Sequence, residues 1–321
     1  MRVAAPGKLL LTGSYAVLEG APAVVCAVNR LAIAGGESTG AAVSPEVEAA
    51  RTAMNETWAA PSLDVSSLFS GDLKLGLGSS AAAVVAALGY WAVKGGQDLK
   101  GATVRRAIFE RARAAHAKVQ SGGSGVDIAA SVYGGVLRFC LNREPAPAPS
   151  LAPLPAPAIH PVSLPPQLRV DTYWSGKSVR TSDMRARVDA LKAGRAGVWA
   201  ARMADLASAA EDAVTAIDRR DGRGFVDAAR ASERGLTALG RDADAPIVPP
   251  YVRDLVRMAE EEGAAFLPSG AGGGDVFVRL GLEPPSAHFS AEARALGLEE
   301  LALEIDVLGV RTLANAGDPS A

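Results

Sequence analysis

Cysteine is nearly missing from this sequence: Cys26 and Cys140 are the two in 321 residues. Both lie in apolar runs, where buried, reduced thiols are the plain expectation, and two cysteines in a chain this long do not make a disulfide scaffold. An excess of charge of either sign is also lacking. With 33 basic and 35 acidic residues the net charge is −2, which points to neither nucleic acid nor a membrane surface as the main partner. No run approaches the roughly 18 uninterrupted apolar residues of a membrane-spanning helix. The opening "MRVAAPGKLLLTG" carries one early Arg, but Pro6, Gly7 and Lys8 interrupt its apolar part, which makes a poor signal peptide. A cytoplasmic protein is therefore expected. No pattern sets an oligomeric state. Also absent are a fixed-period repeat and the steady strand–helix alternation of a doubly wound sheet.

What is present is a chain with 49% hydrophobic residues, enough for one large core or two smaller ones. Short Val-, Leu- and Ile-rich runs punctuated by Gly and Pro predict strands at "RVAA", "KLLLTG" and "APAVVCAVNRLAIAG". Residues 36–61 show no clear period and take no assignment, although Leu63–Phe69 suits a short strand. Helices are expected over Ser79–Val93 and Ala102–Gln120, then a helix at "DIAASVYGG" and a strand at "GVLRFCL". Alternating Ala and Pro in Arg143–Gln167 favours extended conformations and reads as a linker or crossing segment. Beyond it come a strand at "LRVDTYWSG", mostly helix over residues 182–240, a Pro-started helix at "PPYVRDLVRMAEEEG", and strand–glycine loop–strand at "AAFLPSGAGGGDVFVRLG". The chain is expected to be α+β, with domains at 1–145 and 168–321 joined by a Pro/Ala-rich linker at 146–167.

The stretch "KLGLGSSAAAVVAALG" sets the most permissive residues directly against good helix formers. Glycines let a ligand approach the main chain, and the helix behind them offers unpaired N–H groups at the positive end of its dipole. Gly76, Gly78, Ser79 and Ser80 thus suit a phosphate, with hydroxyls that can also reach a Mg²⁺ ion. A serine-capped glycine turn is the competing reading. The spacing is neither that of a Walker loop nor that of a Rossmann fingerprint. "PSGAGGGD" has four glycines in the five residues 270–274, an excess for a tight hairpin, and ends in Asp275. "GGSGVD" sets Asp127 before an apolar helix, where capping that helix is the alternative role. "PGKLLLTGSY" sets Lys8 at the entrance to a strand, with a solvated strand end as its alternative.

Together, and in this order, these motifs resemble the GHMP kinases: "PGKLLLTGSYAVLEG" their first motif, "KLGLGSSAAAVVAA" their phosphate loop, "PSGAGGGD" their third. Gly13-Ser14-Tyr15 in the first motif, Lys74 ahead of the loop, Ala-His followed by Gln and "GSGVDIAASVYGG", and "YWSGKSVRTSDM" are most like the phosphomevalonate branch. The resemblance implies a two-lobed fold, with an amino-terminal lobe like domain 2 of ribosomal protein S5 and a ferredoxin-like carboxy-terminal lobe. It implies phosphoryl transfer from ATP, with Mg²⁺, to a small phosphorylated acceptor, phosphomevalonate; another acceptor of the superfamily, or an inactive binding protein on this fold, are the alternatives. Lys74, Gly76, Leu77, Gly78, Ser79, Ser80 and Ala81 would hold the nucleotide, with Ser79 or Ser80 at the metal. Asp127 would stand near the acceptor oxygen, as a base or an orienting charge, and Lys8 beside it would neutralise charge on the transferred group. Facing the acceptor would be Tyr15, Ser124, Gly125, Ser175, Lys177, Ser178, Arg180, Thr181, Ser269, Gly270, Ala271, Gly272, Gly273 and Asp275. Four departures from the family accompany the match: a shorter chain before the phosphate loop, a segment from His116 to Asp127 one residue short, His116 or a neighbour at the place where many members carry a metal-binding Glu, and Arg180 where a small hydroxyl residue is common.

Overall fold

The computed structural model describes residues 1–37, 44–53, 59–119, 123–142, 156–178 and 181–314. The chain opens with strands β1 (Arg2–Thr12) and β2 (Ala23–Glu37), then helix α1 (Pro45–Ala53) and the short strands β3 (Pro61–Asp64), β4 (Phe69–Ser70) and β5 (Leu73–Lys74). Helices α2 (Ser79–Lys94), α3 (Ala102–Val119) and α4 (Val126–Tyr133) lead into β6 (Val136–Cys140). Strands β7 (Ala158–Val162) and β8 (Arg169–Trp174) precede three helices, α5 (Thr181–Gly194), α6 (Ala196–Arg219) and α7 (Gly222–Asp242). The remainder is α8 (Arg253–Glu261), β9 (Ala265–Pro268), β10 (Val276–Gly281), α9 (Ala287–Ala295), β11 (Glu299–Leu301) and β12 (Arg311–Leu313).

These elements form two compact units that interleave along the chain. One comprises Met1–Leu9, Cys26–Val136 and Leu303–Ala321; the other comprises Leu10–Val25 and Leu137–Ala302. β1 and β2 each contribute residues to both units, so no single cut in the sequence separates them.

In the first unit the strand order is β12-β1-β2, with β3 also on β2. β1 and β12 are antiparallel, with Arg2 opposite Leu313 and Ala4 opposite Arg311. α2 is buried from Ala81 to Trp91, as an alanine-rich helix with no polar face should be. It lies close on β1 and on the residue before β12, because a Cβ added to Gly89 would stand 2.9 Å from Val3 Cγ1 and 3.0 Å from Val310 Cγ2. Where the sequence left residues 36–61 without an element, α1 seats the buried Val47 and Ala50. Where it suggested two strands parted at Pro6-Gly7, β1 runs on unbroken.

In the second unit the order β2-β6-β7 ends on β7, inside the stretch read as a linker. Pro161 cannot donate to a ladder, and its place on the terminal strand is where a proline is tolerated. A separate antiparallel sheet has the order β11-β8-β10-β9, with Phe277 opposite Tyr173. Tyr173, Phe266, Phe277 and Phe289 form its aromatic core, with neighbouring ring centroids 5.4–5.8 Å apart. α6 and α7 pack as a hairpin around Leu206, Leu236 and Leu239. The Asp221 carboxylate caps α7 by accepting from Gly224 N at 2.9 Å. No helix of the described residues is long and apolar enough to cross a membrane.

Candidate active site

In the first unit the alternation Leu75-Gly76-Leu77-Gly78 divides the loop by face. Leu75 and Leu77 are buried, while Gly76 and Gly78 take φ of +80° and +77°, closed to most side chains. Gly78 is the N-cap residue of α2 and has no side chain with which to cap it. The first N–H groups of α2, from Ser79, Ser80 and Ala81, therefore gather at an end of positive potential, which fits an anion such as the phosphates of ATP.

The segment that interrupts the apolar opening run meets this loop. Lys8 N donates to Leu77 O at 2.8 Å, and a Cβ on Gly7 would lie 2.7 Å from the same oxygen, so glycine is what lets the strand come so near. Lys8 Nζ donates to Gly76 O at 3.2 Å. Pro6 O accepts from Ser131 Oγ of α4 at 2.7 Å, tying that helix to the same strand. α4 begins after Gly125 (φ +81°), with Asp127 in its first turn. A Cβ on Gly78 would stand 3.0 Å from Lys8 Cγ and 3.7 Å from Asp127 Cβ. Lys8, the phosphate loop and Asp127 thus meet at one point, 119 residues apart in sequence at the extremes of Lys8 and Asp127. Asp127 Oδ1 accepts from Ile128 N at 3.0 Å, and Ser124 Oγ accepts from Val126 N at 3.3 Å, so the turn into α4 is closed by its own side chains. Lys74 is exposed on β5, opposite Phe69.

In the second unit the glycine-rich loop joins β9 to β10. Gly270, Gly272 and Gly273 have φ of +119°, +79° and +85°, and Asp275, without a glycine's freedom, has +53°. A Cβ on Gly272 would lie 2.2 Å from Ile247 O, a close approach that forbids any other residue there. The Tyr15 hydroxyl donates to Ala271 O at 2.6 Å, and burial pushes its phenol above the usual range, so it stays protonated and holds the loop. Ser269 Oγ accepts from Leu10 N at 2.9 Å. Ser175 N donates to Asp275 O at 2.9 Å and Asp275 N to Lys177 O at 3.2 Å, which clips the Ser175–Lys177 turn to the end of the loop. The Lys177 ammonium lies 4.6 Å from the centroid of the Tyr251 ring. Ser178 is exposed at the end of this turn, and Thr181 opens α5; Arg180 and the Thr181 side chain lie outside the described residues.

The structure thus gathers two sets: Lys8, the loop 76–81, Ser124, Gly125 and Asp127 in the first unit, and Tyr15, Ser175, Lys177, the loop 269–273 and Asp275 in the second. Sequence reasoning missed Tyr251, whose position under Lys177 has no local signal, and Arg113, which reads as one charge on a solvated helix face but is buried against the Gly125 turn. Among the described residues no group of three or more His, Cys, Asp and Glu is placed to hold a metal.

A helix end open to an anion, with a lysine and a carboxylate beside it on a mixed helix and sheet fold, fits an ATP-dependent small-molecule kinase. Residues 46–135 match the family described as GHMP kinases N terminal domain. The phosphomevalonate kinase of Streptomyces sp. strain CL190 is 27% identical over 335 aligned positions, covering 86% of this chain and 88% of that one. Among solved structures, the Lin0012 protein of Listeria innocua superposes with a TM-score of 0.80 at 22% identity, covering 97% of this chain and 99% of that one. The Streptococcus pneumoniae phosphomevalonate kinase in complex with phosphomevalonate and AMPPNP gives 0.76 at 19% identity, with 95% and 99% covered. The chain is thus similar to the GHMP kinases, and its expected α+β fold is the one observed.

Proposed function

We propose that this kinase transfers the terminal phosphoryl group of ATP to phosphomevalonate, giving diphosphomevalonate. The observation that carries the reading is the Lys177 ammonium, clipped by its backbone to Asp275 at the end of the glycine-rich loop and set on the face of Tyr251. An acceptor that is itself a phosphate brings added negative charge, and a fixed cation beside the acceptor loop answers it. The phosphomevalonate kinase among the relatives supports the same acceptor.

Phosphoryl transfer is mostly positioning and charge stabilisation. The backbone N–H groups of Ser79, Ser80 and Ala81 bind the phosphates, and Lys8 neutralises charge on the group in flight. Asp127 orients the attacking oxygen, which on a phosphate acceptor is already ionised at neutral pH. Mg²⁺ would supply further charge neutralisation, and the Ser79 or Ser80 hydroxyl would help to hold it. The cytoplasm is the proposed compartment, and neither nucleic acid nor membrane has a part.

The test is ADP release with mevalonate, phosphomevalonate, homoserine, galactose or no acceptor. Release well above the no-acceptor rate with phosphomevalonate alone is expected; preference for mevalonate or a sugar overturns the assignment. Lys177→Met should raise the acceptor KM about ten- to a hundredfold, the range of one charge-assisted bond, and leave the KM for ATP nearly unchanged. Equal effects on both would reduce Lys177 to a general electrostatic role.

A further inference from the structure

One buried imidazole faces the site from behind and takes no part in the chemistry above. His116, on α3, is 7% exposed, and its Nε2 lies 3.9 Å from Asp127 Oδ2. The other oxygen, Oδ1, is occupied by Ile128 N. α3 packs on α4, and one turn before His116 it presents Arg113 to the same turn. A Cβ on Gly125 would stand 3.1 and 3.2 Å from Arg113 Cγ and Cδ, and one on Gly123 would be 3.8 Å from His116 Nδ1. The α3 side chains thus lie directly against the turn into α4, tightly at Gly125 and in ordinary contact at Gly123. Asp127 is held between this basic face on one side and Gly78 with Lys8 on the other.

We infer that His116 is a positioning residue for Asp127: its ring N–H fixes the direction of Oδ2, and so the direction in which the carboxylate meets the acceptor. At 3.9 Å the two atoms are beyond hydrogen-bond distance, but a rotation of the carboxylate that brings them less than 1 Å closer would make a charge-assisted bond, and such bonds commonly tighten only with substrate in place. The inference rests on the reading of Asp127 as the group at the acceptor oxygen.

The experiment compares His116→Leu and His116→Gln, alone and on Asp127→Asn, with ATP and phosphomevalonate. His116→Leu should lower kcat about tenfold, the size of one such bond, with both KM values within about twofold of wild type. His116→Gln, which restores an N–H at similar reach, should recover most of that loss. On Asp127→Asn, His116→Leu should cost nothing further. A wild-type kcat in His116→Leu, equal losses in Leu and Gln, or full additivity on Asp127→Asn would each overturn the inference. If His116→Leu does not fold, His116→Asn takes its place; its N–H falls short of the carboxylate, so it should lose turnover that Gln keeps, and equal rates in Asn and Gln would count against the inference. Wild-type turnover in Asp127→Asn would instead remove the reading of Asp127 itself, and this inference with it.

Discussion

Asp127→Asn should lower turnover at least about a hundredfold while ATP affinity and the melting temperature stay near wild type, as positioned acid–base or orienting groups commonly contribute 10²–10⁴ in rate. The substitution separates the two roles open to this side chain. Asp127 sits in the first turn of α4 and its Oδ1 accepts from Ile128 N. As a helix-terminal acceptor, Asn is about as good as Asp, since the amide oxygen can take the same bond. The lost charge at the helix start is worth only about 0.3–1 kcal/mol. Folding and ATP binding should therefore survive, whereas a charge that orients the acceptor is gone. Stopped-flow or coupled measurement of kcat at saturating phosphomevalonate, with ATP affinity read separately, checks both halves. Wild-type turnover would return Asp127 to the role of a helix terminus.

Much of the first unit's candidate site was legible because its signals are local. The alternation of leucine and glycine before an alanine-rich helix divides by face: leucines pinned in the core, glycines at positive φ on the other side. Pro6 and Gly7 were harder. On propensity they end a strand, but in the fold β1 continues through them because Gly7 must lie against Leu77 O and Pro6 O is met by Ser131. The interruption marks the close approach of β1 to Leu77, not a turn. α1 escaped because a nine-residue helix with two buried apolar positions, Val47 and Ala50, leaves no measurable period.

Other features depend on partners far away in sequence, and no window of residues contains them. The interleaved units follow from β12 pairing with β1 across the length of the chain. Charges on α3 told which helix face was polar, but not that Arg113 and His116 would be roofed by the turn into α4. The same blindness holds for "VFVRLG", where every residue of β10, the arginine included, is buried.

Arg279 is that residue, and Arg279→Met should destabilise the second unit by about 3–5 kcal/mol, the usual result of stripping one partner from a buried ionic cluster. Arg279 is 0% exposed and stands opposite Asp171 on β8. Its guanidinium reaches Asp171 Oδ2 at 3.3 Å, Glu262 Oε2 at 2.7 Å and Glu283 O at 2.9 Å, with the Phe289 ring 5.4 Å away. Methionine fills comparable volume, so the loss comes mainly from carboxylates left without their cation. In calorimetry the melting temperature should fall on the order of 10 °C. The pH dependence gives the second check. Burial acts to raise the Glu262 pKa, but bonding from Ser286 and Arg279 outweighs it and holds the carboxyl below its usual range. A depressed folded pKa stabilises above the ordinary carboxylate pKa of about 4.3 and loses that contribution as pH falls through the lowered value. The gap between wild type and Arg279→Met should accordingly be widest near neutrality and narrow in acid. Replacing Asp171 and Glu262 by apolar residues of similar volume along with Arg279 should recover much of the loss, because an apolar cluster needs no cation. A single variant as stable as wild type at neutral pH would show that the cluster contributes nothing net to the fold.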